Sequence, residues 1–200
     1  TKRIPVAAGM AGGSTDAASM LYGMNQIFDL GLSRKALMER GVKIGADVPY
    51  CLMRGTALAQ GIGEKLSQLP PMVKCPVLIA KPAVSVSTKF VYQNLKLDEH
   101  TIHPDIDALI GAIRNKDFTA ICGNMGNVLE SVTIPNYPVI AQIKEKMMEA
   151  GASHAMMSGS GPTVFGLFED EEIARQSADR RLRHHQLQRP LFAAAARPLL

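Results

Sequence analysis

A glycine-rich loop, Pro5-Val6-Ala7-Ala8-Gly9-Met10-Ala11-Gly12-Gly13-Ser14-Thr15, runs directly into Asp16-Ala17-Ala18 and carries the clearest chemistry in the sequence. Small residues let backbone N–H groups close on a phosphate without Cβ clashes. A helix starting on the loop adds its positive dipole end and N–H groups that lack partners inside the helix. The loop therefore reads as an anion cradle. It has neither the Gly-Lys-Ser/Thr of a Walker A loop nor the G-x-G-x-x-G of a dinucleotide fold, so both of those readings fail on residue type. For a bare glycine cluster, a tight turn followed by Ala/Gly-driven helix packing is the commoner explanation.

Asp47, in Gly45-Ala46-Asp47-Val48-Pro49, is the second candidate. A carboxylate can take the proton of an attacking hydroxyl. Taken alone, the residue reads more readily as a helix N-cap, because Pro49 excludes an ordinary mid-helix position. Ser14 and Thr15 suit a helix start and also offer hydroxyls to a phosphate or to Mg²⁺; the two roles can coexist. Ser158-Gly159-Ser160-Gly161 is by itself a hairpin turn. His100, His103, His154, His184 and His185 show no metal-ligand spacing, and His154 reads as core or surface. The three cysteines, Cys51, Cys75 and Cys122, are too far apart for a zinc site or disulfide framework. The 11 Met are scattered at core periods, as soft packing residues are.

The elements that must position these residues alternate. Apolar residues Ala17, Met20, Leu21, Met24, Ile27 and Phe28 recur at three- and four-residue spacing and predict an amphipathic helix over 15–28, with Ser14 as N-cap and Gly31 past its end. Ser33 caps a short helix through residue 40. Residues 56–59 and 76–80 read as strands. Ser87 caps a helix through residue 95, and helices follow over 105–114, 117–125 and 138–150. Strand, glycine turn and strand then span 155–168, with a helix from about residue 169. The division expected is 1–84, 85–174 and a tail over 175–200.

Two hundred residues at 46% hydrophobic and 20% charged, with 17 Gly and 12 Pro, make one or two small domains and exclude disorder, collagen and disulfide scaffolds. No window approaches the roughly 18 uncharged apolar residues of a membrane span, so a soluble cytosolic protein is expected, with no membrane or nucleic-acid partner. The net charge of +4 is concentrated in the tail, where residues 175–200 hold 6 Lys+Arg against 1 acidic residue. All six are Arg, and RRLRHHQLQRPLFAAAARPLL shows no helical or strand period. A basic arm for nucleic acid or membrane is one reading. A frameshifted or cloning-derived end fits the abrupt change in residue usage better. At the other end the strand feeding the glycine loop is cut to Thr1-Lys2-Arg3-Ile4-Pro5-Val6 with no initiator Met, so the chain is expected to begin inside a larger protein.

The pattern P-x-x-x-G-x-x-G-G-S-[ST]-x-A-A resembles the phosphate loop of the galactokinase, homoserine kinase, mevalonate kinase and phosphomevalonate kinase superfamily. Three more blocks follow in the family's order: Ile44-Gly45-Ala46-Asp47-Val48-Pro49-Tyr50, Gly55-Thr56-Ala57-Leu58-Ala59-Gln60-Gly61-Ile62-Gly63-Glu64, and the glycine motif Met157-Ser158-Gly159-Ser160-Gly161-Pro162-Thr163-Val164-Phe165-Gly166. Lys81-Pro82 through Val86-Ser87-Thr88, with Gly126-Asn127-Val128-Leu129-Glu130, brings the chain nearest to the branch that acts on 4-diphosphocytidyl-2-C-methyl-D-erythritol in the non-mevalonate isoprenoid pathway, in a form like that of Gram-positive bacteria. The resemblance covers about residues 2–175.

It implies an α+β, two-subdomain small-molecule kinase fold: a truncated N-terminal part like domain 2 of ribosomal protein S5, and a helix-rich, ferredoxin-like C-terminal part. It also implies Mg-ATP as phosphoryl donor, residues 5–15 as the ATP loop and Asp47 as catalytic base. Ser14 or Thr15 would lie near Mg²⁺ with no metal held by protein alone, and Thr88, Ser158, Gly159, Ser160 and Gly161 would lie on the substrate side. Family members supply a K-I-N-L-like lysine and an aromatic-His pair from upstream of the loop. Neither is in this sequence, so the chain alone is expected to be inactive. The alternatives are a non-catalytic nucleotide-binding or structural fragment, or a related mevalonate- or homoserine-type kinase.

Overall fold

The computed structural model describes residues 8–99, 101–180 and 187–193, the last seven and 179–180 by their backbone alone. The chain divides into two compact units, one of residues 1–6 and 11–72, the other of residues 7–10 and 73–200.

The first unit opens with α1 (Gly12–Ile27), followed by α2 (Arg34–Gly41) and α3 (Val48–Met53), then a two-stranded antiparallel ribbon of β1 (Ala57–Gln60) and β2 (Lys65–Gln68). Ser33 caps α2 as its sequence predicts, its Oγ accepting from Ala36 N at 3.2 Å. Pro49 sits in the first turn of α3, where its missing N–H breaks no helical bond. A small core of Ala18, Leu37, Val48 and Leu52 holds the three helices together. Buried Asn25 pins the turn between α1 and α2, accepting from Leu32 N at 2.9 Å and donating to Leu32 O at 3.1 Å.

The face that α1 buries only partly follows the one its apolar period predicts. Ala17 and Leu21 of that stripe pack on the core of the unit with Ala18, and Asn25 is buried, whereas Met20, Met24, Ile27 and Phe28 are exposed, Ile27 at 77%. At about 100° per residue the buried positions centre roughly 100° around the helix from Met20, Met24 and Ile27, so the buried face is turned by about a quarter turn from the exposed one. Gly41 lets α2 approach α3 closely, since a Cβ there would lie 2.8 Å from Val48 Cγ1.

The second unit is built on an antiparallel sheet of order β4-β5-β3-β6, from β3 (Val77–Pro82), β4 (His154–Met157), β5 (Val164–Leu167) and β6 (Leu187–Ala193). Between β3 and β4 run α4 (Thr88–Asn94), α5 (Ile106–Asn115), α6 (Phe118–Asn124), α7 (Glu130–Asn136) and α8 (Val139–Glu149), and α9 (Glu171–Arg180) follows β5. Leu78, Val91, Ile140, Ile143, Met147, Met157, Val164 and Phe168 form its main core. Ser87 caps α4 as read from the sequence, and Asp105 and Asp117, read as the first residues of their helices, are the side-chain caps of α5 and α6.

Three elements escape the sequence patterns. β2 is a four-residue ribbon strand with three exposed positions. α7 carries Val132, Thr133, Ile134 and Pro135, residues that disfavour helix, and forms because Val132 and Thr133 are buried. The tail, for which no period predicts structure, holds the end of α9 and the edge strand β6. The β3–β6 register shifts between Ile79 and Lys81, opposite Arg189-Pro190, where Pro190 has no N–H to give the ladder.

An unpartnered apolar stripe should bind apolar probes. Replacing Met20, Ile27 and Phe28 together by Gln should lower fluorescence of an apolar dye on the protein severalfold, at a stability change within about 0.5 kcal/mol per site. Loss of the folded state in the triple variant would show instead that the stripe is packed.

Candidate phosphate-loop site

The glycine loop is shared along the chain by the two units, each of which fixes its own part. Pro5, Val6 and Ala7 lie outside the described residues. In the second unit Gly9 adopts φ +70°, and a Cβ there would lie 2.3 Å from the carbonyl oxygen of Ser158 and 3.0 Å from that of Gly161. Only glycine fits. Ser158 Oγ donates to the Gly9 carbonyl at 2.7 Å, so the loop is gripped by the C-terminal glycine turn.

That turn joins β4 to β5. It closes with Ser158 N donating to Thr163 O at 2.8 Å and Gly161 N donating to Ser158 O at 3.0 Å. Gly161, at φ +84°, passes so near Met157 that a Cβ would meet its Sδ at 2.6 Å. Side chains from other elements hold the backbone of the turn. Asn127 Nδ2 donates to Met157 O at 2.9 Å and Gly159 O at 2.8 Å, while Glu130 Oε1 accepts from Met157 N at 2.8 Å. Glu130 is also ion-paired with Lys144. Thr133 Oγ1 donates to Ser160 O at 3.3 Å, and Thr88 Oγ1 and Ser160 Oγ share a hydrogen bond of 2.9 Å. Thr88 and the turn of residues 158–161 thus meet through Ser160. Asn127 and Glu130 were visible only as parts of a motif block; their polar pairing just before a helix was the available signal.

In the first unit Ala11 takes the left-handed conformation, φ 46° and ψ 29°, and is the N-cap of α1. Ser14 is therefore the third helical residue and not the cap that its type predicts, because the turn at Ala11 starts the helix on the glycines. No side chain caps α1. The N–H groups of Gly12, Gly13 and Ser14 precede the first helical bond, Thr15 N to Ala11 O at 2.8 Å, and nothing lies within 4 Å of a Cβ built on Gly13. The Thr15 hydroxyl donates back to Ala11 O at 3.0 Å and lies 3.6 Å from Cys51 Sγ. Ser14 Oγ is 3.8 Å from a Cβ placed on Gly45, so the helix start adjoins the segment carrying Asp47.

Asp47 is exposed at the N-cap position of α3, yet its side chain makes no capping bond. With Tyr50, Gly55, Thr56, Gly63 and Met72 it lines a cleft of about 440 Å³. Tyr50 Oη donates to Gly55 O at 2.8 Å, and the carboxylate lies 3.9 Å from a Cβ built on Gly63. Carboxylate, open helix start and Ser14 thus belong to one unit. The donor set suits an anion bearing oxygen ligands for a hard cation; among the described residues no cluster of three or more His, Cys, Asp or Glu could hold a metal ion.

The remaining titratable groups sit apart from this chemistry. Burial lowers the half-buried His154, and the Lys144 ammonium adds to that against the pull of Glu130, which keeps the imidazole neutral near pH 7. Burial raises Cys75 and, with help from Cys75 and Glu169, pushes Cys122 up to about 11, so both remain thiols. Among the described residues no helix is long and apolar enough to cross a membrane.

Comparison with known proteins agrees with the motif order. Residues 1–55 match the GHMP kinases N terminal domain and residues 109–184 match GHMP kinases C terminal. The chain is 64% identical over 171 residues to the 4-diphosphocytidyl-2-C-methyl-D-erythritol kinase of Lachnospira eligens, covering 86% of this chain and 59% of that protein. It is 52% identical over 175 residues to the protein of that name from Enterococcus faecalis, covering 88% and 62%. The chain therefore spans about 60% of the length of the curated relatives it matches. A crystal structure of 4-(cytidine 5'-diphospho)-2C-methyl-D-erythritol kinase superposes with a TM-score of 0.72 at 31% identity, over 88% of this chain and 63% of that one. Homoserine kinase from Cytophaga hutchinsonii shares the fold, with a TM-score of 0.75 at 22% identity, over 89% and 62%. Two matched domain models in their expected order, on an α+β fold shared with these kinases, establish that the chain belongs to the GHMP kinases.

Proposed function

We propose that the full-length protein is a cytoplasmic kinase that transfers the γ-phosphoryl group of ATP to a hydroxyl of 4-diphosphocytidyl-2-C-methyl-D-erythritol. The uncapped start of α1 behind a glycine loop supports the phosphoryl-donor half of this reading, and the relatives of that name support the acceptor. Gly12, Gly13 and Ser14 would present backbone N–H groups to the phosphates at the positive end of a 16-residue helix. Ser14, whose hydroxyl is not used inside the loop as that of Thr15 is, would be the better placed to face Mg²⁺. When bound, Mg²⁺ would offset the charge on the phosphate oxygens.

Phosphoryl transfer asks for little covalent work from the protein. The acceptor oxygen forms a bond to the γ-phosphorus as the bond to the bridging oxygen breaks, ADP leaves, and the hydroxyl proton needs an acceptor. Asp47 suits that role, since its carboxylate is not spent on capping α3 and it lines a cleft of about 440 Å³. Thr88 and residues 158–161 would lie on the substrate side.

The loop assignment predicts that Gly12→Val, which inserts bulk at a buried position in the first turn, lowers ATP affinity of the full-length protein at least about tenfold. Calorimetric titration gives the answer, and an unchanged affinity would reduce the loop to packing.

For Asp47 the expected outcome is a separation of binding from turnover. Asp47→Asn keeps side-chain shape, so ATP affinity should stay within about twofold, whereas kcat should fall by about 10² or more. A steady-state rate within a few-fold of the parent protein would place the base elsewhere.

A further inference from the structure

We infer that Asn127 and Glu130 are positioning residues for the phosphate loop, acting on it through the Ser158 turn; this rests on the proposed role of that loop. The observations form one unbroken path inside the second unit. Asn127 donates both amide hydrogens, at 2.9 Å to Met157 O and 2.8 Å to Gly159 O, so it spans the start of the turn. Glu130 takes the N–H of Met157 at 2.8 Å. Asn127 thus holds the residues on either side of Ser158, and Glu130 holds Met157 alone. Ser158 in turn presses its carbonyl against Gly9 and donates its hydroxyl to Gly9 O at 2.7 Å. Gly9 is itself part of the glycine loop over residues 5–15.

Asn127 and Glu130 are themselves fixed. Asn127 Oδ1 accepts from Leu129 N at 3.0 Å, which sets the amide orientation, because the oxygen must face Leu129 and the nitrogen must face the two carbonyls. The second carboxylate oxygen of Glu130 is paired with Lys144 of α8. A rotation of either side chain would shift the carbonyl of Ser158, and at Gly9 there is no slack to absorb the shift, since the two backbones already meet where a Cβ could not fit. A role limited to holding the fold would show as a general loss of stability. Positioning makes a narrower demand: groups that contact phosphate should suffer and groups that contact the nucleoside should not.

The test is calorimetric affinity of the full-length protein for ATP and for adenosine. Asn127→Asp keeps the shape and the acceptor facing Leu129 but aims a carboxylate oxygen at two carbonyls. It should weaken ATP at least about tenfold and leave adenosine within about twofold. Glu130→Gln, whose amide oxygen still accepts from Met157 N, should stay near the parent for both. For Asn127→Asp, equal loss of ATP and adenosine, or no loss of either, overturns the inference, as does a Glu130→Gln loss as large as that of Asn127→Asp. Should Asn127→Asp fail to fold, Asn127→Ser decides: a loss of about threefold or more confined to ATP supports positioning, and unchanged ATP overturns it. Gly12→Val separates the two proposals. If Gly12→Val abolishes ATP binding while the Asn127 variants do not affect it, only the positioning role fails; if Gly12→Val leaves ATP binding intact, the loop assignment fails and the positioning role with it.

Discussion

The approach of Gly9 to the carbonyl of Ser158, close enough that a Cβ would come within 2.3 Å, is the constraint on which the second unit's part of the site depends. Backbones can meet this way only where one of them has no side chain and can take a left-handed conformation. Within the second unit the contact holds the Gly9 part of the glycine loop without a bulky residue.

Close backbone contact brings polar groups together, and the second unit meets this with short side chains bonded to main chain. Asn127, Glu130, Thr133 and Ser158 each bond a backbone group in the turn or loop. Buried Lys81 follows the same rule at the end of β3, donating to Pro82 O at 3.1 Å and Val84 O at 3.2 Å just ahead of Thr88. An ammonium in a largely desolvated position is tolerated when carbonyls replace its water, and here it also shapes the strand-to-helix turn that delivers Thr88 to Ser160. Each such bond contributes only about 1 kcal/mol net, but removing one partner leaves a buried polar group unsatisfied at greater cost. Conformation here is set by that penalty more than by the bond energies.

Most helices were legible because their starts carry short polar residues and their lengths exceed one apolar period. α5, α6 and α8 fall within a residue or two of their predicted bounds. Motif blocks gave the family, since residue types at fixed spacing do not depend on how neighbouring elements pack. What remained hidden was decided by tertiary contact. α7 forms against its own propensities because Thr133 and Val132 are buried, and β6 exists by pairing with β3 despite Pro190. The exposed stripe of α1 misled because periodicity reports that a helix has an apolar face and cannot report which neighbour it meets. At the site, the motifs named Thr88 and Ser160 without pairing them, and the bonds of Asn127 and Glu130 to the turn could not be read from sequence, 30 residues separating Asn127 from the carbonyl of Met157.

Helix starts divide by what their caps are used for. Ser33, Ser87, Asp105 and Asp117 each give a side-chain oxygen to an N–H of the first turn. Ala11 and Asp47 do not, although for different reasons. Ala11 has nothing to offer, and it adopts a left-handed conformation that costs an alanine about 1 kcal/mol. Asp47 has a suitable carboxylate at the right position and leaves it unused, with backbone angles of −83° and −10° that lie outside the extended region a capping residue prefers. Leu129 and Pro138 also start helices without caps, but neither could supply one. Asp47 alone among the described N-caps could cap and does not. A forgone cap is worth about 1 kcal/mol. The αR backbone of Asp47 thus leaves its carboxylate unspent on the helix and exposed at the cleft it lines.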